Sequence, residues 1–63
     1  MKKKYIKFTI KDGIFKTKTI LIEVDIYTEL HIIAERLVEN QMIYLEGTYY
    51  NISQILKITT VCN

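Results

Sequence analysis

The sequence predicts an α+β fold: a small antiparallel sheet of four to five strands with one helix packed on a face, in the order ββαββ followed by a fifth strand. Three observations carry that expectation. Residues 4–11 alternate apolar and polar, residues 26–40 repeat their apolar positions every three or four, and residues 42–62 are rich in β-branched and aromatic side chains broken by a single Gly-Thr pair.

Taken in order, residues 4–11 place Ile6, Phe8 and Ile10 on one face and Tyr5, Lys7, Thr9 and Lys11 on the other, the pattern of a half-buried strand. Asp12-Gly13 signals a hairpin, because a type I′ turn needs positive φ at both central positions. The return strand is read over 14–24, with Ile14 to Thr19 as its near half and a mostly apolar far half from Ile20 to Val24. A two-residue loop would set Lys7 opposite Lys18, so a bulge or a longer loop is expected to shift the register. In 26–40 the residues Ile26, Leu30, Ile33, Ala34 and Leu37 fall on one helical stripe. Asp25 or Thr28 is expected at the N-cap, Glu29 near the positive end of the helix dipole and Asn40 in a left-handed cap. A second hairpin, 42–46 with 49–52, is expected to turn at Gly47-Thr48. Its inner face is then Ile43, Leu45, Tyr50 and Ile52, and its outer face Tyr44, Glu46, Tyr49 and Asn51. Ser53-Gln54 reads as a bend or short helical turn before a last strand over 55–62.

Residues 1–63 are expected to form one domain, with no linker, repeat or second unit. A domain this small buries only about 60% of the surface its unfolded chain exposes, so self-association is the natural way to enlarge its core. The single cysteine, Cys62, excludes an internal disulfide, and with His31 alone it is too little for a four-ligand zinc site. No cofactor is expected. The basic start, Met1 to Lys4, meets Lys7 and Lys11 before any apolar run can form, so neither export nor a membrane span is expected. A lone thiol fits a reducing, cytoplasmic setting.

The enzyme inventory is thin. One serine (Ser53), one histidine (His31) and one cysteine offer little for nucleophilic catalysis, and both glycines sit at hairpin turns instead of in a phosphate-cradling loop. Cys62 reads as a small hydrophobe at a strand end, His31 as a partly covered structural residue at the margin of the helical stripe, and the Glu35/Glu39 pair as a solvated face.

Charge is distributed unevenly. Residues 1–18 hold seven lysines against Asp12 alone, a net +6, while the remainder sets Arg36 and Lys57 against six carboxylates, a net −4. Two contact surfaces follow. The first is the outer helix face, with Ile32 projecting among Glu35, Arg36 and Glu39, together with the outward tyrosines Tyr44 and Tyr49; large rigid aromatics with a polar tip suit protein interfaces. The second is the lysine hairpin (Lys3, Lys4, Lys7, Lys11, Lys16 and Lys18), a shape that can lie along nucleic-acid phosphates but lacks the arginine for bidentate recognition. Lysines there also protect exposed strand edges from aggregation.

Tiny, tyrosine-rich and without a catalytic motif, the chain resembles in general character the small accessory and inhibitor proteins that phages and mobile elements encode. That resemblance implies a non-enzymatic binding protein that occupies a surface on a host or defence protein. Nucleic-acid binding through the lysine hairpin and self-assembly as a homo-oligomer are the alternative expectations.

Overall fold

The computed structural model describes residues 2–63; Met1, the first residue of the basic start, lies outside them. The fold is α+β. Strand β1 (Lys4–Lys11) is the centre of a three-stranded antiparallel sheet, with β2 (Thr17–Val24) on one side and β5 (Ile55–Cys62) on the other. Helix α1 (Leu30–Asn40) and a separate two-stranded hairpin, β3 (Met42–Leu45) with β4 (Thr48–Asn51), pack against one face of that sheet. The second hairpin therefore contributes a lid to the core instead of further strands to the same sheet.

The alternation of β1 explains why it takes the centre. Ile6, Phe8 and Ile10 are almost wholly buried, and each is flanked on both sides: Ile6 by Ile22 and Thr60, Phe8 by Ile20 and Ile58, Ile10 by Lys18 and Ile55. Ile20, Leu45 and Tyr50 complete the buried cluster. Burying side chains of this size stabilises the fold by about 1.5–3 kcal/mol each. On the other face Tyr5, Lys7, Thr9 and Lys11 share a surface with Leu21, Lys57 and Thr59, and no helix or hairpin covers it among the described residues.

The first hairpin takes a longer loop, as the lysine clash required. Residues 12–16 form it, closed by the Asp12 N–H donating to the Lys16 carbonyl at 2.8 Å, with Gly13 at φ 89°. The register places Lys7 opposite Leu21 and Lys18 opposite Ile10, which separates the two ammonium groups. Strand β2 accordingly starts at Thr17, three residues later than the expected 14, and Ile14 and Phe15 stand out in solvent at 83% and 96% exposure.

The helix also starts late, at Leu30 instead of 26. Asp25 spends its carboxylate locally: Oδ1 accepts the Tyr27 N–H at 2.9 Å, and the Thr28 N–H donates to the Asp25 carbonyl at 2.9 Å. That Asx-type turn competes with helix for the same backbone groups. The Lys4 ammonium holds it in place by donating to the carbonyls of Ile26 and Thr28. Neither Asp25 nor Thr28 caps α1; Glu29 occupies the N-cap without a side-chain hydrogen bond, and Ile26, expected in the core, is half exposed. The left-handed cap falls on Gln41 (φ 60°), one residue beyond Asn40, and the Gln41 N–H closes the helix on the Leu37 carbonyl at 2.8 Å.

In the second hairpin the turn is Glu46-Gly47, with φ of 48° and 81°, a type I′ geometry in place of the expected Gly47-Thr48 turn. The pairing shifts by two residues, Tyr44 opposite Tyr49 and Ile43 opposite Tyr50. A two-residue shift preserves sidedness. Ile43, Leu45 and Tyr50 still face inward and Tyr44 and Tyr49 outward. Asn51 and Gln54 then form a capping box around the short 3₁₀ turn Ile52–Gln54, with the Ser53 N–H donating to Asn51 Oδ1 and the Asn51 N–H to Gln54 Oε1. Strand β5 follows over the expected residues, with a bulge at Leu56 between the Lys57 and Ile55 pairings.

Candidate functional site

Helix and hairpin touch through β3 but do not close over the sheet. Between them lies an open cleft of about 630 Å³, within the ~300–1,000 Å³ typical of binding sites. Its floor is the half-buried Ile22 and Val24 of β2, over the buried Ile6 and Phe8 of β1. One wall is the flank of α1 carrying Ile33, Arg36, Leu37 and Asn40. The other is the second hairpin, where Met42, Tyr44 and Tyr49 stand above Ile43 and Leu45.

The two tyrosines form a fixed pair. Their rings pack edge to face, 4.7 Å between centroids and 61° between planes, yet they remain 58% and 67% exposed. The type I′ turn sets them directly opposite each other on the outer face of a two-residue hairpin. A T-shaped pair so held offers a large aromatic surface with little further ordering to lose on binding. Arg36 is the only arginine in the chain, and no carboxylate lies within ion-pair distance of its guanidinium among the described residues. The cleft thus combines an apolar floor, one rim of two aromatic rings and one free cation.

The structure brings together only part of the expected surface. Arg36, Tyr44 and Tyr49 share the cleft, whereas Glu35 and Glu39 lie on a different side of the helix, beside a shallow depression also lined by His31, Ala34 and Val38. Ile32 is 42% exposed on the helix, as its wheel position required, and it is not a cleft residue. His31 is exposed instead of partly covered, with Nε2 3.3 Å from the Glu29 carboxylate, and Cys62 is exposed at the end of β5.

The six lysines are likewise divided. Lys7 and Lys11 lie on the open sheet face, Lys16 is in the loop and Lys3 precedes β1. Lys4 is engaged with the turn before α1. Lys18 sits 5.1 Å from the centre of the Tyr50 ring; the Tyr50 hydroxyl foremost, with Asp12 and Glu46, holds its ammonium above the usual lysine value. A raised lysine pKa adds stability below the ordinary lysine range, and that contribution is lost only as pH rises through the raised value. Because β5 pairs with the far side of β1, the lysine hairpin is part of a three-stranded platform and not a free two-stranded ribbon.

No protein-family model matches this chain, and comparison with curated proteins and with solved structures finds no match either. The cleft's role rests on its own residues. Ile22, Val24 and Met42 are cleft residues that the sequence assigned only to strands, and Asn40 one it assigned only to the helix cap. Phe15 did carry a signal: it is out of phase with Ile20, Ile22 and Val24, so it could not share their buried face.

Proposed function

We propose that this protein is a non-enzymatic binding module, acting in the cytoplasm by docking on a protein partner of the kind found in host or defence machinery. The observation that carries the reading is the rigid, exposed Tyr44/Tyr49 pair standing over an open apolar cleft beside the unpaired Arg36. Tyrosine and arginine around an apolar pocket are the composition of an interface hot spot. An apolar anchor side chain packs against the tyrosine rings at the rim of the cleft, and Arg36 meets an acidic group or carbonyl beside it.

The test is affinity capture of the tagged protein from host lysate, with nuclease and at two salt concentrations. Tyr44→Ala with Tyr49→Ala is expected to reduce capture of the protein partner by about 2–4 kcal/mol of binding free energy, a loss of at least thirtyfold in affinity on the order of, with the circular dichroism of the fold unchanged. Ile32→Asp on the outer helix face is the companion variant. If Ile32→Asp abolishes capture while the tyrosine variant leaves it intact, the docking surface is the acidic helix face and not the cleft.

One observation favours a second reading, nucleic-acid contact. Lys7, Lys11 and Lys57 lie with Tyr5 on the uncovered sheet face, a basic platform with an aromatic for base stacking. Three phosphate contacts predict that log affinity falls with log salt at a slope near ~−2 to −3. Lys7→Glu with Lys57→Glu is expected to abolish single-strand binding, and an affinity flat in salt would exclude this reading.

A further inference from the structure

We propose that two copies of this chain pair β2 edge to β2 edge about a twofold axis, and that Phe15 of each seats at the Ile22/Val24 end of the other's cleft, leaving the Tyr44/Tyr49 rim to the docking partner. The proposal rests on the reading of the cleft as a docking site and names the occupant of one end of it.

Strand β2 is the edge that invites pairing. It runs eight residues in unbroken register with β1 and, among the described residues, has no strand on its other side. The opposite edge, β5, carries the bulge at Leu56, a device that interrupts a ladder and discourages edge-to-edge association. A strand paired antiparallel with its own symmetry mate makes an isologous contact that closes as a dimer. The axis stands perpendicular to the sheet, so both core faces lie on the same side and the two clefts open in the same direction.

That symmetry carries the 12–16 loop of each copy to the far end of its partner's β2. There Ile22 and Val24 form the outer floor of the cleft. The loop presents Ile14 and Phe15, the latter 96% exposed, and the cleft is apolar and open. Knob and hole belong to the same chain, at opposite ends of the same strand.

Charge favours the same orientation. Lys16 precedes β2, Glu23 stands near its end and Asp25 just past it, while Lys18 is turned to the core face over Tyr50. Antiparallel pairing sets each basic start against the partner's acidic end. Near the axis the half-exposed Leu21 side chains approach each other on the outer face.

Surface area agrees with a missing partner. The folded chain exposes 4918 Å², whereas a 7.5 kDa monomer is expected to expose about 4,250 Å². The excess, about 700 Å², is close to the ~800 Å² per partner that a standard stable interface buries. Five of the exposed large apolar side chains, Ile14, Phe15, Leu21, Ile26 and Tyr27, lie on β2 or the loops at its two ends.

Sedimentation equilibrium on the full chain, from micromolar to millimolar, tests the proposal. The wild type is expected to be a dimer with micromolar affinity. Phe15→Ser, which removes nothing from the monomer core, is expected to weaken the dimer on the order of a hundredfold or more, since two apolar anchors are lost per dimer. Lys16→Glu and Glu23→Lys are each expected to weaken their own homodimer about tenfold, as lost and reversed rim charges do, while an equimolar mixture of the two recovers wild-type affinity as a heterodimer. A wild type that stays monomeric to millimolar concentration overturns the proposal, as does a dimer whose affinity is unchanged by Phe15→Ser. A monomer whose partner capture still depends on Tyr44 and Tyr49 removes the dimer and leaves the docking role standing. A Phe15-dependent dimer whose partner capture ignores the tyrosines removes the docking role alone.

Discussion

Phe8→Ala is expected to leave no cooperatively folded protein at 25 °C. Phe8 is 2% exposed in the central strand, flanked by Ile20 on β2 and Ile58 on β5, and it lies beneath the floor of the cleft. Truncating a buried phenylalanine costs about 3–5 kcal/mol, most where the surroundings cannot collapse into the space. Collapse is opposed here, because Phe8 sits in the central strand, held in ladders on both sides. Against that loss stands a whole-domain stability of roughly 3–9 kcal/mol for a chain of this length. Urea titration followed by circular dichroism measures the outcome. A flat titration without a folded baseline is the expected result for Phe8→Ala, while Ile6→Val is expected to retain a sigmoidal transition and lose only about 0.5–1.5 kcal/mol. Retention of most of the wild-type stability by Phe8→Ala would mean that the sheet is held mainly by its ladders and not by its buried face. If the chain dimerises, both titrations also shift with protein concentration, because association stabilises only the folded state.

The same central strand shows why part of the fold could be read directly. Ile6, Phe8 and Ile10 alternate without exception, and β1 and β5 occupy the expected residues. Sidedness of the second hairpin was also legible, since Ile43, Leu45 and Tyr50 point inward in either register. What escaped was local competition. Asp25 reads equally well as a helix cap or as the start of an Asx turn, and only the Lys4 ammonium, more than twenty residues away in sequence, decides for the turn. Glu46 in a left-handed conformation is disfavoured by its own backbone, and the pairing of Tyr44 with Tyr49 overrides that preference. The cleft was the least legible feature. Arg36, Tyr44 and Tyr49 were named from the sequence as contact residues, but the gap that unites them is the distance between a helix and a hairpin, which no periodicity encodes.

Leu37→Ala is expected to release the helix before the sheet. Leu37 is the only fully buried residue of α1, and Leu30 and Ile33 are covered only in part. The helix has eleven residues, no side-chain hydrogen bond at its N-cap, no acidic residue in its first turn and no basic residue in its last. An isolated helix shorter than about 12–15 residues is marginal in water, so packing through Leu37 is what keeps α1 formed. Removing that side chain costs about 2–4 kcal/mol, and the cost falls on an element that can open without disturbing the β1–β5 ladder. Hydrogen exchange separates the two cases. Amides within α1 are expected to lose protection by on the order of a hundredfold, with those of β1 affected far less, the signature of sub-global opening. An equal fall in both would show that helix and sheet unfold as one unit. The helix also forms one wall of the cleft and carries Arg36 on it. Leu37→Ala should therefore weaken capture of the partner even at temperatures where the sheet is intact, whereas Val38→Ala, on the exposed flank outside the cleft, should leave capture unchanged.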